Sequence, residues 1–255
     1  MDYRAVKGVL VALSLSVTQL FANHVELHYL ETPASEVAIE VTKDPAVVDL
    51  VALLNENFRL LHAVKIRFGA DDGPLFDPQE QHIDIPYTFI DEVVARFEQD
   101  NYYKSGVSTQ QATTDALMHT IVHEFGHVLV AMYQLPVLGR EEDAVDSLAT
   151  MLLLESFAEG AEIAISAADL FALEGESLEQ FEDQDFWSEH SLDEQRFFTT
   201  LCHVYASSPE RYWDLLTELG VPQERREQCI EEYVQVRESW QILLSPYLIG
   251  GVLSY

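Results

Sequence analysis

The stretch "HTIVHEFGHVL", residues 119–129, restricts the fold more than any other, because three histidines recur in it at four-residue intervals around one glutamate. Four-residue spacing stacks side chains one turn apart on the same helix face, so His119, His123 and His127 form a row. The flanking "TIV" and "VLV" are uncharged. The row therefore belongs to a buried helix, where an unpaired His-Glu-His cluster would be costly to desolvate. In His-Glu-x-x-His, the two histidines serve as zinc ligands and the glutamate as a general base beside the open coordination position. His123 and His127 are then the ligands of one zinc ion and Glu124 the base. Zinc lowers the pKa of its water towards about 7, and Glu124 takes the proton as the hydroxide attacks a carbonyl. His119 reads as packing or as support behind the ligands. Gly126, in mid-helix, costs roughly 1 kcal/mol relative to Ala, and so points to close packing or access at that face. The competing reading is a pair of ordinary core or surface histidines.

A catalytic zinc needs a third protein ligand. The pattern that supplies it as a third histidine six residues on is excluded, because Val130 and Tyr133 stand at its glycine and histidine positions. A second arrangement takes a Glu from the next helix with an Asp one turn later, and "GREEDAVDSLA" offers Glu142 and Asp146 at that spacing. Glu142 is the first choice, Asp146 the second and Glu141 the third; Asp146 otherwise orients a ligand histidine. For Glu141 to Asp143 the alternative is an acidic first turn favoured by the helix dipole. Only 14 residues separate His127 from Glu142, so the second helix must fold straight back on the first.

Composition limits partners. With 14 basic and 44 acidic residues the formal charge is -30, and a field of that sign repels nucleic acid and anionic lipid. Arg4 and Lys7 precede an apolar run ending near Ala22, which reads as a signal peptide over residues 1–22 and places the mature chain in the periplasm or outside the cell. No later run is long enough to span a bilayer, so no stable membrane insertion is expected after cleavage. In an exported protein Cys202 and Cys229 suggest one disulfide, with two buried thiols as the alternative.

The predicted architecture is α+β. Residues 25–42 alternate as one or two strands, 44–61 form an amphipathic helix capped by Asp44, "VKIRFG" and "HIDIPY" are strands, and "ADDGPLFDPQEQ" is a turn-rich loop. The strand "HIDIPY" either pairs with an extended peptide beside the cleft or lies buried. Helices predominate beyond the linker "NYYKSGVSTQQ", the motif helix being capped by Thr113, Thr114 or Asp115. Residues 141–172 form one long helix or two. Nine acidic residues in 174–194 read as a solvated loop. Residues 23–255 then make a single zincin-like domain: 23–112 a mixed part with a small sheet packed on the motif helix, 113–255 a helical part carrying the metal site.

The combination of "HEFGHVLV", "LPVLGREEDAVDSLAT", "HSLDEQRFF" after a Trp, "LC" and the later "EQC" resembles a bacterial family of unknown function described in terms of metallopeptidases, over roughly residues 45–250. The resemblance implies a gluzincin-like zinc peptidase with His123, Glu124, His127 and Glu142 with Asp146 as its site, and it strengthens the pairing of Cys202 with Cys229. For the oxyanion that develops during hydrolysis, His190 is the first donor expected and Arg196 the second, each against the alternative of a capping or salt-bridging residue. The expected function is zinc-dependent hydrolysis of peptides or proteins. A non-catalytic, metal-stabilised binding module and a zinc hydrolase of a non-peptide amide are the alternatives.

Overall fold

The computed structural model describes residues 24–176 and 181–251; the expected signal peptide lies outside them. Strand β1 (Val25–Tyr29) is followed by helix α1 (Glu36–Thr42). The alternation in 36–42 had suggested a strand. Instead the Ser35 side chain accepts the Ala38 N–H and caps a helix whose buried Ala38, Val41 and Thr42 keep helical spacing. Helix α2 (Pro45–Asn57) begins as expected, with Asp44 accepting from the Ala46 N–H and Pro45 in the first turn. Strands β2 (Val64–Phe68), β3 (Leu75–Asp77) and β4 (His82–Ile85) complete a mixed sheet of order β1-β2-β4-β3. The β1-β2 and β2-β4 pairs are parallel; β3-β4 is antiparallel. Of the two readings of "HIDIPY" the buried strand is the one observed, and the loop reading is corrected. "HIDI" is an interior strand, already paired on both sides, and the edge belongs to β3, inside the segment read as a loop. Its three residues are too short a run for an alternation signal.

Helix α3 (Tyr87–Asp100) leads through a short 3-10 turn to α4 (Thr109–Tyr133), which carries the motif. Ser108 caps α4 by accepting the Gln111 N–H at 3.1 Å. Thr113, Thr114 and Asp115 lie a turn inside, and Asp115 accepts from Ser166 and Gln111 instead. The helix ends where Gln134 turns left-handed at φ 51°. The next residues fold back into α5 (Glu141–Ser156), then α6 (Gly160–Glu176), α7 (Asp183–Trp187), α8 (Asp193–Ser207), α9 (Trp213–Thr217) and α10 (Gln223–Leu244). The long apolar segment is thus two helices. Gly160 makes the corner, where a Cβ would lie 2.0 Å from the Leu153 carbonyl oxygen.

One hydrophobic core joins both halves, running from Ile66, Phe68, Ile83 and Ile85 of the sheet to Leu117, Val122 and Phe125 of α4 and Val145 and Leu148 of α5. Phe125 meets Phe58 edge-on at 5.2 Å. Strands β3 and β4 both contact α4, so the sheet edge runs beside the motif helix. A disulfide joins Cys202 of α8 to Cys229 of α10, with Cα atoms 5.1 Å apart; such a bond is at home in an oxidising, extracytoplasmic compartment. Among the described residues no helix is long and apolar enough to cross a membrane.

Candidate metal centre

Helices α4 and α5 approach unusually closely, and Gly126 is the reason. A Cβ at that position would lie 2.8 Å from the Val145 side chain, well inside normal contact. The missing side chain lets the first turns of α5 settle against the His123–His127 face of α4. Of the two readings of Gly126, packing is the one observed.

Three imidazoles converge on one carboxylate oxygen. Glu142 Oε2 lies 3.1 Å from His123 Nε2, 3.2 Å from His127 Nε2 and 2.9 Å from His190 Nε2. His123, Glu142 and His190 form a group whose donor atoms all lie within 4.8 Å of one another, and this group could hold a metal ion. His127 reaches the same oxygen but is not part of that group. The sequence had paired His123 and His127 with Glu142; His190, expected as an oxyanion donor, joins them as a possible ligand.

The outer faces of the helix histidines are also fixed. His123 Nδ1 lies 2.7 Å from Asp146 Oδ1, and His127 Nδ1 lies 2.8 Å from Glu141 Oε1. A carboxylate at Nδ1 selects the tautomer that leaves Nε2 to face a metal, and it raises the basicity of that nitrogen. Three of the four acids of "EEDAVD" thus divide the work: Glu142 points into the cluster while Glu141 and Asp146 each hold one ring. Asp146, expected to orient a histidine, does so. The role of Glu141 was not anticipated, although its place beside Glu142 in the first turn of α5 was a usable signal.

Arg196 is turned away from the oxyanion side. Its Nε donates to Asp146 Oδ2 at 2.8 Å and its Nη2 to Asp146 Oδ1 at 3.1 Å, while the guanidinium lies 3.9 Å from the centre of the Phe171 ring. Of the two readings of Arg196 the salt-bridging one is observed: a buried guanidinium seeks the nearest buried carboxylate, and Asp146 is fully engaged between Arg196 and His123.

Electrostatics follow from this arrangement. Burial disfavours a charged His123, but the hydrogen bonds to Asp146 and Glu142 prevail and raise its pKa to about 9. His127 is raised in the same way by Glu142 and Glu141, again against burial. Burial also opposes charge on Glu142 and Asp146, yet their histidine partners, with Arg196 for Asp146, hold both well below the usual carboxylate range. Burial pushes the Glu124 carboxyl up. The acids Glu142, Asp146 and Glu141 around His123 and His127 therefore attract positive charge, which protons on these two rings supply when no metal does. Imidazole nitrogen and carboxylate oxygen are donors of the kind that zinc accepts.

These groups line a cleft of about 390 Å³ whose opposite wall is Pro74, Leu75, Phe76 and Pro78 around β3. Glu124 faces the same cleft. A match to the family described as "Putative metallopeptidase" extends over residues 29–244. The chain belongs to that family. No curated protein and no solved structure matches it. The match spans strands β2 to β4, the motif helix and every helix of the site, and a peptide is the substrate that the family's description implies.

Proposed function

We propose that the protein is an exported, zinc-dependent metallopeptidase of zincin-like fold, in which residues 23–255 act as one domain once a signal peptide of residues 1–22 is removed. The observation that carries the reading is the convergence of imidazoles from α4 and the Glu142 carboxylate from α5 on one point, with Glu124 on the same cleft wall.

His123, His127 and Glu142 hold the ion, and Asp146 and Glu141 keep the two rings in the tautomer that binds it. Bound zinc supplies Lewis acidity and a lowered pKa for water. Glu124 accepts the proton of the attacking water and returns it to the leaving amine, a role helped by burial, which makes its carboxylate a stronger base. His190 donates from Nε2 to the carbonyl oxygen as negative charge develops. The substrate backbone pairs with the free edge of β3, which gives an extended peptide its register across the cleft.

The test is zinc content and peptide-library cleavage for wild type and Glu124→Gln. Zinc should be retained at one ion per chain in both, while cleavage falls by about 10²- to 10⁴-fold in the variant. Equal cleavage by both would remove Glu124 from the mechanism. A second reading, a metal-stabilised module without activity, draws on His190: with three imidazoles reaching the Glu142 carboxylate the donor count is that of a closed, structural site. Zinc in both forms and cleavage in neither would favour it.

A further inference from the structure

His190 differs from the other two histidines of the centre. His123 and His127 project from α4 with side chains 8% and 15% exposed, whereas His190 stands in the turn before α8 with its side chain 44% exposed. Its Nε2 nevertheless makes the shortest of the three contacts with Glu142, at 2.9 Å. Its ring lies nearly parallel to that of His123, at 13° and 6.1 Å between centres. The turn is tied to the start of α5: Arg140 donates to the His190 carbonyl at 2.6 Å, and Ser191 donates to Asp143 at 3.0 Å. The segment carrying Glu141 and Glu142 thus also holds His190 at the metal position.

We propose that His190 is a displaceable fourth protein ligand, which binds the metal through Nε2 in the resting protein and gives up its place to an incoming oxygen ligand such as a substrate carbonyl. The inference rests on the metallopeptidase reading and adds to it a gate at the coordination position itself. A catalytic zinc keeps one position for water or substrate and a structural one does not. A donor on an exposed turn lies between these cases, because leaving costs neither a helix nor a core contact. Once displaced, Nε2 takes up a proton from the solvent to which its turn is open and can then donate to the carbonyl oxygen, so ligand and oxyanion donor are successive roles of one imidazole. Apparent affinity for a competing ligand falls in proportion to the fraction of sites that are open.

The experiment uses the full chain loaded with zinc or cobalt(II), in wild type and His190→Ala. X-ray absorption at the zinc edge should count three imidazoles in wild type and two in the variant, and the cobalt(II) visible bands should shift from a four-protein-donor pattern to one with bound solvent. Acetohydroxamate should bring both cobalt proteins to the same spectrum, with wild type requiring at least about tenfold more of it. An equal imidazole count, or equal acetohydroxamate affinity, overturns the proposal while leaving the metallopeptidase reading intact. Three imidazoles that acetohydroxamate cannot displace also overturn it, in favour of a closed site. Failure of wild type to bind either metal defeats the metallopeptidase reading itself, and the proposal with it.

Discussion

His119 and His123 stand one turn apart on the same helix and are almost equally buried, at 3% and 6% exposure, yet they behave oppositely. His119 faces Thr150 and the edge of Phe171, and burial, helped by the nearby His123 and Arg196, lowers its pKa to about 4. His203 on α8 shows the same behaviour and the same value. His123 faces two carboxylates and rises to about 9. Burial makes an imidazole neutral, and carboxylates brought by a neighbouring helix turn that buried imidazole into part of a cation site. The metal centre is therefore a property of the α4–α5 contact rather than of the histidine row.

The largest effect should separate the two rings. His123→Ala is expected to abolish zinc retention and peptide cleavage. His119→Ala should keep one zinc per chain and lose roughly 2–4 kcal/mol of stability, as other large-to-small core changes do, by denaturant unfolding. Zinc loss from both would erase the distinction between the two faces. Asp146→Asn comes next. It leaves the buried Arg196 with Asp193, 3.7 Å away, in place of its bidentate partner, at a cost of about 3 kcal/mol, and zinc affinity should weaken about 10- to 100-fold in a competition titration. Unchanged affinity would mean that Asp146 does not set the His123 tautomer.

The pH dependence of the metal-free protein should carry opposite signs for the two kinds of histidine. His123, raised from 6.5 to about 9, contributes stability that is complete below 6.5 and lost as pH rises through 9. His119 and His203, lowered to about 4, cost stability as pH falls from 6.5 towards 4, where the unfolded chain takes up protons that the folded one refuses. Zinc should remove the alkaline loss and leave the acid one, since the ion replaces the ring protons only at the front of α4. Melting temperatures with and without chelator across pH 4 to 9 check this; an alkaline loss that zinc leaves untouched contradicts it. The smallest effect is expected from Gly126→Ala. Its new Cβ would meet Val145 and push α5 away, at about 1–3 kcal/mol, and zinc affinity should fall with stability. A stable variant with normal affinity would show that the close approach is dispensable.

Much of the site was legible before any coordinates. His123, Glu124 and His127 are a local pattern, because three side chains within five residues on a helix must share a neighbourhood. Glu142 and Asp146 could be placed for the same reason once the return of the chain was granted. For Arg196 two readings stood open, and the salt-bridging one is observed. Its proximity to the site was sensed, but its partner lies fifty residues away on α5, and a sequence shows that a cation is scarce without showing which buried carboxylate it will meet. The short elements were hidden for a similar reason. In 36–42 the capping serine outweighed the alternation, and β3 gains its strand character only by pairing with β4.

Sequence alone determined the motif helix, the two-part α+β layout and the residue types available for a cation, because helical periodicity and side-chain chemistry are carried by neighbours along the chain. Which acid points inward, that Glu141 holds His127, and that His190 closes on Glu142 were decided by how α4, α5 and the turn before α8 come together. Those contacts span from 14 to 48 residues of sequence in directions that no local pattern encodes. They depend on the packing of whole helices, for which a single glycine at 126 supplies the clearance.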